Sequence, residues 1–504
     1  NIFEKSFLEK QSFIDIIKIN YTFKMAIKLF FIIISLIISS SAFSQINDEN
    51  LPVLGDYSSA SISLSGEYEL GRIWLSIYRS AVKEHNDPMI RTYLEDLLYR
   101  LSEDSEVQDR RFEFLVLQDK SINAFAAPGG IIGINLGMFL ETEKEGELAS
   151  VMCHELAHLS QRHYARSQNR SSPLANALMV LGSIVVAAAS RNPEAILIAP
   201  AAMQQMSINF TRSNEKEADR VGFNNLVRAG FDPNDMTSMF QRMQDKYQTK
   251  SSEEFSYLMT HPLPSERLTD MKVRADNLPK SVNTIYRDNI DFYFMQKRAE
   301  SWSEKDTRKL IKKYKKNIDS KDYKVSASNK YGLALAYKGT KKFNEAFRII
   351  RSLMKENPNN LVLESSLMEL HLAAGNYFEA ISLGRNILEI HQSNYSASIL
   401  LADAYLKNQN PEEAEKLLKD LSKNRETDPN VWFKLAEAQG LSGNILELHR
   451  SRAEYFILTG RFDAAVFQLK EALSLSNNLF EIKESIIRRL EEIFAKKRAL
   501  TELS

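Results

Sequence analysis

The segment His154-Glu155-Leu156-Ala157-His158 has the spacing of a metal site on an α-helix. Helical residues four positions apart project from one face, so both imidazoles can reach a single tetrahedral Zn²⁺. Glu155 then lies beside the metal, where it can act as a general base. Residues 146–153 are mostly good helix formers with one apolar side, which predicts a buried helix. An accidental match on an ordinary helix is the alternative.

A zinc ion bound by two histidines needs a third protein ligand. A third histidine six residues after His158 is excluded, because Tyr164 occupies that position and Gln161 stands where the accompanying glycine is expected. His163 lies one residue off that register, so we interpret it as a neighbour of the site and not as a ligand.

The charged segment 214–220 (NEKEADR) is a better source of the third ligand. Glu215 and Asp219 share one helix face, whereas Glu217 lies about 200° around the helix from Glu215. We expect Glu215 to bind the metal and Asp219 to accept the outer N–H of a ligand histidine. The alternative is a solvated face stabilised by Glu/Lys pairs.

Four landmarks in chain order resemble peptidase family M48, and more narrowly its secreted bacterial branch with C-terminal tetratricopeptide repeats. They are residues 123–130 (NAFAAPGG), 154–158 (HELAH), 215–219 (EKEAD) and 260–267 (THPLPSER). The resemblance covers most of the chain. It implies an α+β, mostly helical protein, in which a gluzincin metalloprotease domain precedes an all-α tetratricopeptide-repeat superhelix.

The resemblance also implies a zinc endopeptidase with one Zn²⁺ per chain, held by His154, His158 and Glu215. Glu155 and Asp219 would be the catalytic residues, the first moving a proton and the second orienting a histidine. The expected role is envelope quality control. Misfolded or stalled outer-membrane proteins would be the substrates, and the repeats would dock these clients or the assembly machinery.

His261 lies in the Pro-rich segment 260–264, which disfavours regular structure. A lone histidine there would ordinarily be a surface or capping residue. In the family's motif it could instead fill the fourth position on the zinc and make the resting enzyme latent, because a catalytic zinc needs an open position. Arg267 is expected either to stabilise oxyanion charge or to form a salt bridge.

Composition is that of a soluble globular protein, with 44% apolar and 26% charged residues. The 65 basic and 65 acidic residues cancel, so nothing in the overall charge points to nucleic acid or an anionic membrane. Cys153 is the single cysteine, which excludes an intramolecular disulfide. We expect it to face away from the metal as a small buried residue, with a thiolate ligand as the alternative.

Residues 25–44 are expected to be a cleaved signal peptide, because Lys28 precedes an apolar run and residues 42–44 (AFS) fit a cleavage site. An uncleaved anchor is the alternative. Residues 1–24 contain no Met and are expected to be an upstream extension. The mature protein would therefore be periplasmic, and no cysteine follows the cleavage site to carry a lipid.

The expected protease domain spans residues 45–285. Helices are predicted at 67–81 and 88–102, and strands at 112–117, 122–127 and 130–134 around a Pro-Gly-Gly turn. A strand beside the cleft could pair with an extended substrate, and a plain core hairpin is the alternative.

The apolar residues 174–189 are too few to span a bilayer. We expect them, together with the apolar residues 195–206, to form a buried or cleft-covering helical pair, with peripheral contact to a membrane or an unfolded client as the alternative.

Ala346, Ala380 and Ala414 recur every 34 residues, which is the tetratricopeptide period. We expect a repeat domain at 326–500, preceded by a helical connector or atypical first repeat at 286–325. Such arrays bind partners on a concave face and perform no chemistry.

Two other functions stay open. In one the protein is a chaperone or adaptor for outer-membrane protein assembly, with structural zinc and minor or latent protease activity. Glu155 argues against it, because a structural zinc needs no general base. In the other, His261 keeps the protease permanently shut.

Overall fold

The computed structural model describes residues 62–168, 212–249, 257, 261–262, 265–278, 289–476 and 479–502. The expected upstream extension, the signal peptide and the apolar stretches 174–189 and 195–206 lie outside these ranges. Within them the protein is mostly helical with one small sheet, which confirms the predicted fold class. No helix in the described ranges is both long and apolar enough to cross a membrane.

Two capped helices open the described chain, α1 (Leu64–Ala81) and α2 (Pro88–Ser102). The Ser63 hydroxyl accepts a hydrogen bond from the Gly66 N–H, and the Asp87 carboxylate accepts from the N–H groups of Met89 and Ile90. These caps satisfy donors that have no partner within the helix. Both helices were predicted, although α1 begins three residues before the predicted start.

A three-stranded sheet follows, made of β1 (Glu113–Leu117), β2 (Ala124–Ala127) and β3 (Ile131–Asn135) in the order β1-β3-β2. Strands β2 and β3 form the predicted antiparallel hairpin. Gly129 and Gly130 turn it with φ of 76° each, a conformation that favours glycine. Strand β1 pairs with β3 in parallel, which the sequence pattern did not indicate.

The next helices build the site, and they are α3 (Gly137–Glu141), α4 (Glu145–Ser160), α5 (His163–Gln168), α6 (Arg212–Arg228), α7 (Asn234–Thr249) and α8 (Ser265–Asp276). Helix α4 is buried from Glu145 to His158. Cys153 is part of the apolar core, as predicted. Helix α6 packs closely along α4, since Gly222 lies directly over the backbone of Cys153 and His154.

From Ile290 onward the described residues form twelve helices. They are α9 (Ile290–Ser303), α10 (Thr307–Asn317), α11 (Tyr323–Gly339), α12 (Phe343–Glu356), α13 (Leu361–Ala374), α14 (Tyr377–Ile390), α15 (Tyr395–Lys407), α16 (Pro411–Asn424), α17 (Pro429–Leu441), α18 (Ile445–Leu458), α19 (Phe462–Leu475) and α20 (Phe480–Glu502). From α11 onward, consecutive helices pack in pairs. Ala346, Ala380 and Ala414 are fully buried where paired helices meet.

The 34-residue period also sets where helices begin. Asn360, Asn394 and Asp428 are spaced by that period, and each caps the first helix of a repeat through its side chain. A cap at a fixed position starts each helix at the same place in the repeat, so neighbouring pairs stack in register.

Helix α9 and the repeat helices pack against α2 and its N-cap through buried ion pairs. Arg298 on α9 reaches Asp87 at 2.6 Å and Glu369 at 3.1 Å, and Arg91 reaches Asp428 at 3.1 Å. These ion pairs connect the repeats to the protease core that contains α4.

A larger residue at Gly222 should separate α6 from α4. A Cβ atom there would lie 3.0 Å from Cys153 O and from His154 N and Cα. We expect Gly222→Val to destabilise the protein by about 1–3 kcal/mol through overpacking and to lower its metal content. Thermal unfolding and metal analysis check this. In the control, Gly339→Val, the added Cβ meets nothing closer than 3.9 Å. Equal behaviour of the two variants would contradict the prediction.

Candidate metal centre

Four side chains from three segments converge beside α4: His154 and His158 on α4, Glu215 on α6, and His261. All four are buried. The Nε2 atoms of the two α4 histidines are 3.0 Å apart, and Glu215 carboxylate oxygens lie 3.5 Å from His154 Nε2 and 3.4 Å from His158 Nε2. The structure thus brings together the four residues that the sequence nominated as metal ligands.

His261 completes the group. Its Nδ1 lies 3.4 Å from His154 Nε2 and 3.1 Å from both carboxylate oxygens of Glu215. Ligand atoms about 2.0–2.1 Å from a tetrahedral zinc are roughly 3.3 Å apart. Five of the six separations among these side chains lie between 3.0 and 3.5 Å, and all four ligand atoms lie within 4.8 Å of one another, so the group fits one tetrahedral ion. Imidazole and carboxylate are also donor types that zinc accepts.

His154 is held from behind by a carboxylate. Its Nδ1 lies 3.1 Å from Asp219 Oδ1, as the four-residue spacing of Glu215 and Asp219 predicted. Arg267 fixes Asp219 in turn, with Nε and Nη2 donating to the two carboxylate oxygens at 2.6 and 2.7 Å. Its Nη1 also lies 3.0 Å from Glu215 Oε2. Of the two roles considered for Arg267, the geometry is that of a salt bridge.

His158 is held by a second arrangement that the sequence reasoning missed. Its Nδ1 lies 2.9 Å from Nδ1 of His163, whose Nε2 lies 3.1 Å from Glu217 Oε2. His163 is a neighbour and not a ligand, as interpreted from the sequence. However, the Glu217 carboxylate contacts His163, so it is more than part of a solvated helix face. Two features of the sequence could have indicated this arrangement: the histidine five residues after His158, and Glu217 on α6, to which no role had been assigned.

Comparison with known proteins agrees with this geometry. A model of peptidase family M48 matches residues 88–275, and a model of the tetratricopeptide repeat matches residues 371–438. The chain is 31% identical over 461 residues to the β-barrel assembly-enhancing protease of Escherichia coli (strain K12), covering 88% of this chain and 93% of that protein. The chain belongs to peptidase family M48, among the β-barrel assembly-enhancing proteases.

Other relatives bear out this placement. The putative β-barrel assembly-enhancing protease of Vibrio cholerae is 32% identical over 433 residues, which are 84% of this chain and 88% of that protein. The mitochondrial metalloendopeptidase OMA1 of Schizosaccharomyces pombe is 28% identical over 222 residues, which are 43% of this chain and 62% of that protein. The M48 protein described here is accordingly a metalloendopeptidase with tetratricopeptide repeats, as predicted.

Charges within this M48 site compensate one another. Burial opposes ionisation of Glu215, yet His261, His154 and His158 together hold its pKa well below the usual range. Burial likewise opposes ionisation of Asp219, but Arg267 and His154 lower its pKa. Burial lowers the pKa of His158 well below its ordinary value, so this imidazole is neutral, as a metal ligand must be.

His154 differs from His158 in this respect. Burial opposes its protonation, but the nearby carboxylates of Asp219 and Glu215 raise its pKa to about 9. A metal ion at this M48 site would therefore displace a proton from His154, since the ligand form of histidine is neutral.

Glu155 lies fully buried next to this group, with Oε1 3.6 Å from His261 Nε2. Among the residues that the structure describes, neither of its carboxylate oxygens has a hydrogen-bond partner. A buried carboxylate without partners is costly in a merely structural position. The M48 site thus contains a buried carboxylate that no hydrogen bond from the described residues engages.

An edge strand borders the M48 site. Strand β2 pairs only with β3 within the described ranges, and it also packs against α4. A cleft beside it is lined by residues 126–130 and by His158, Leu159 and Ser160 at the end of α4. An edge strand at such a cleft can hold an extended peptide by main-chain hydrogen bonds.

Arg267 should matter far more than another arginine on the same helix. Replacing it by Met leaves the buried carboxylate of Asp219 without its cation, so we expect Arg267→Met to lower the free energy of unfolding by about 3–5 kcal/mol. The control is Arg274→Met, which removes only the exposed pair with Asp270 and should cost less than about 1 kcal/mol. Urea unfolding of the metal-free proteins measures both. Equal losses would contradict the assignment.

Proposed function

We propose that this M48 metalloendopeptidase uses one zinc ion per chain, held by His154, His158 and Glu215. The observation that carries the proposal is the fit of these buried side chains to a single tetrahedral ion, beside a Glu155 carboxylate that accepts no hydrogen bond from the described residues. When bound, zinc lowers the pKa of the attacking water and polarises the scissile carbonyl.

In this proposal the protein residues perform the proton transfers. Glu155 takes the proton of the attacking water on its carboxylate and passes it to the nitrogen of the leaving amine. Asp219 accepts the Nδ1–H of His154 and thereby keeps Nε2 free for the metal. Strand β2 holds the substrate backbone in extended form, so the enzyme accepts many sequences.

His261 acts as a latch in this proposal. Its Nδ1, beside His154 Nε2 and Glu215, would be the fourth protein ligand, and its ring stacks on Tyr257 with 4.6 Å between ring centroids. A site with four protein ligands has no open position for water, which a catalytic zinc requires. The resting enzyme is therefore latent, and its activation moves His261.

The client class follows from the relatives and the repeats. Several relatives carry the name β-barrel assembly-enhancing protease, and this chain covers 93% of one of them. We infer that the protein works in the periplasm, reached through a cleaved signal peptide. It would hydrolyse misfolded or stalled outer-membrane proteins, while the repeats dock these clients or the assembly machinery.

A second function is favoured by the same His261 contacts. With the latch closed, the protein would act mainly as a chaperone or adaptor for outer-membrane protein assembly, and proteolysis would be minor. Basal cleavage by the unmodified protein separates this alternative from the first.

Glu155→Gln should abolish catalysis and leave the metal in place. An amide takes up no proton, so we expect casein cleavage to fall by about 10²–10⁴-fold while zinc content stays at one per chain. The exposed Glu103→Gln is the control and should cleave like the unmodified protein. Full cleavage by the Glu155 variant would overturn the assignment of the base. Absence of zinc from protein never exposed to chelator would overturn the metal proposal.

His261→Ala should activate the enzyme. Removal of the fourth ligand opens a position for water, so we expect faster casein cleavage at an unchanged zinc content. His391→Ala, at an exposed histidine of the repeats, serves as the control. Unchanged cleavage in a His261 variant that still binds one zinc would contradict the latch.

A further inference from the structure

The two histidines of α4 are supported by two different arrangements. His154 is backed by Asp219, which is paired with Arg267. The side chain behind His158 is instead a second histidine, His163.

We propose that His163 and Glu217 form a positioning pair that fixes the orientation and tautomer of His158. The proposal rests on the proposed role of His158 as a metal ligand. It adds two residues to the site that contact neither the metal nor the substrate.

Hydrogen-bond directions along this pair are set by elimination. The Nε2 atom of His158 faces His154 and Glu215, so a neutral His158 that binds metal through Nε2 carries its proton on Nδ1. That Nδ1–H donates to Nδ1 of His163 across 2.9 Å. His163 then carries its own proton on Nε2 and donates it to Glu217 Oε2 across 3.1 Å. One pair of neutral tautomers satisfies both of these contacts.

Burial and charge pairing favour this arrangement. His163 is fully buried and contacts both His158 and Glu217. Glu217 also accepts a hydrogen bond from Arg166 Nη1 at 2.9 Å and forms an ion pair with that arginine. The chain of contacts therefore ends in a carboxylate paired with an arginine, just as that of His154 ends in Asp219, which is paired with Arg267.

The backbone turns sharply just before His163, and this turn directs its side chain toward His158. Arg162, the residue before His163, has a φ of 49°, a left-handed conformation that is uncommon for residues other than glycine. Its side chain is anchored, with Nε 3.2 Å from Glu67 Oε2 and Nη2 donating to Ile62 O at 2.5 Å. This turn ends α4 and starts α5 so that His163 faces back toward His158.

Zinc affinity tests the proposal separately from activity. The full chain, stripped of metal, is titrated with zinc against a chromophoric chelator. Loss of the supporting acceptor in His163→Leu should weaken zinc binding about 10–100-fold. His163→Asn places an amide oxygen near the former Nδ1 and should restore affinity to within about threefold, whereas Glu217→Gln should cost less than about tenfold because its amide oxygen still accepts.

The control for removal of a buried histidine is His371→Leu in the repeats, which should bind zinc like the unmodified chain. Cobalt-loaded protein gives a second readout, since a reoriented His158 should shift the visible absorption bands in His163→Leu and not in His371→Leu. Unchanged affinity in His163→Leu, or equal losses in the Leu and Asn variants, would overturn the proposal. If the unmodified chain bound no zinc, the proposed function itself would fail.

Discussion

The close contact between α4 and α6 is the constraint on which the site depends. Gly222 allows the two helix backbones to approach, and this places Glu215 and Asp219 against the α4 histidines. Two ionised carboxylates would be unfavourable in this core by themselves, because burial favours their neutral forms. Arg267 and the histidines compensate them, so packing and electrostatics at this contact support each other.

The sheet and the repeats make this contact between α4 and α6 rigid. The sheet fixes β2 beside α4, and the repeats attach to α2 through buried ion pairs such as Arg91 with Asp428. Ligands on packed helices are held in a fixed geometry, which favours a preorganised metal site. His261, in contrast, lies outside the helices that carry the other proposed ligands, which is the placement that the proposed latch requires.

Much of this could be predicted from the sequence. The helical spacing of His154 and His158, and that of Glu215 and Asp219, gave the correct faces because a helix fixes the direction of residues four apart. The strands of the hairpin and the 34-residue period were equally local signals. The parallel pairing of β1 with β3 was not predicted, because no short-range pattern specifies which strand adds to a hairpin. Arg267 remained undecided for the same reason.

The sequence by itself determined which residues could be ligands and which helices carry them, since these depend on composition and period. Only the tertiary structure decided how the segments meet: that His261 lies within 3.4 Å of His154, and that His163 and Glu217 support His158. Those contacts join residues up to 107 positions apart. They depend on how helices pack and where a turn after α4 aims the chain, and the periodicity of a single segment carries no information about either.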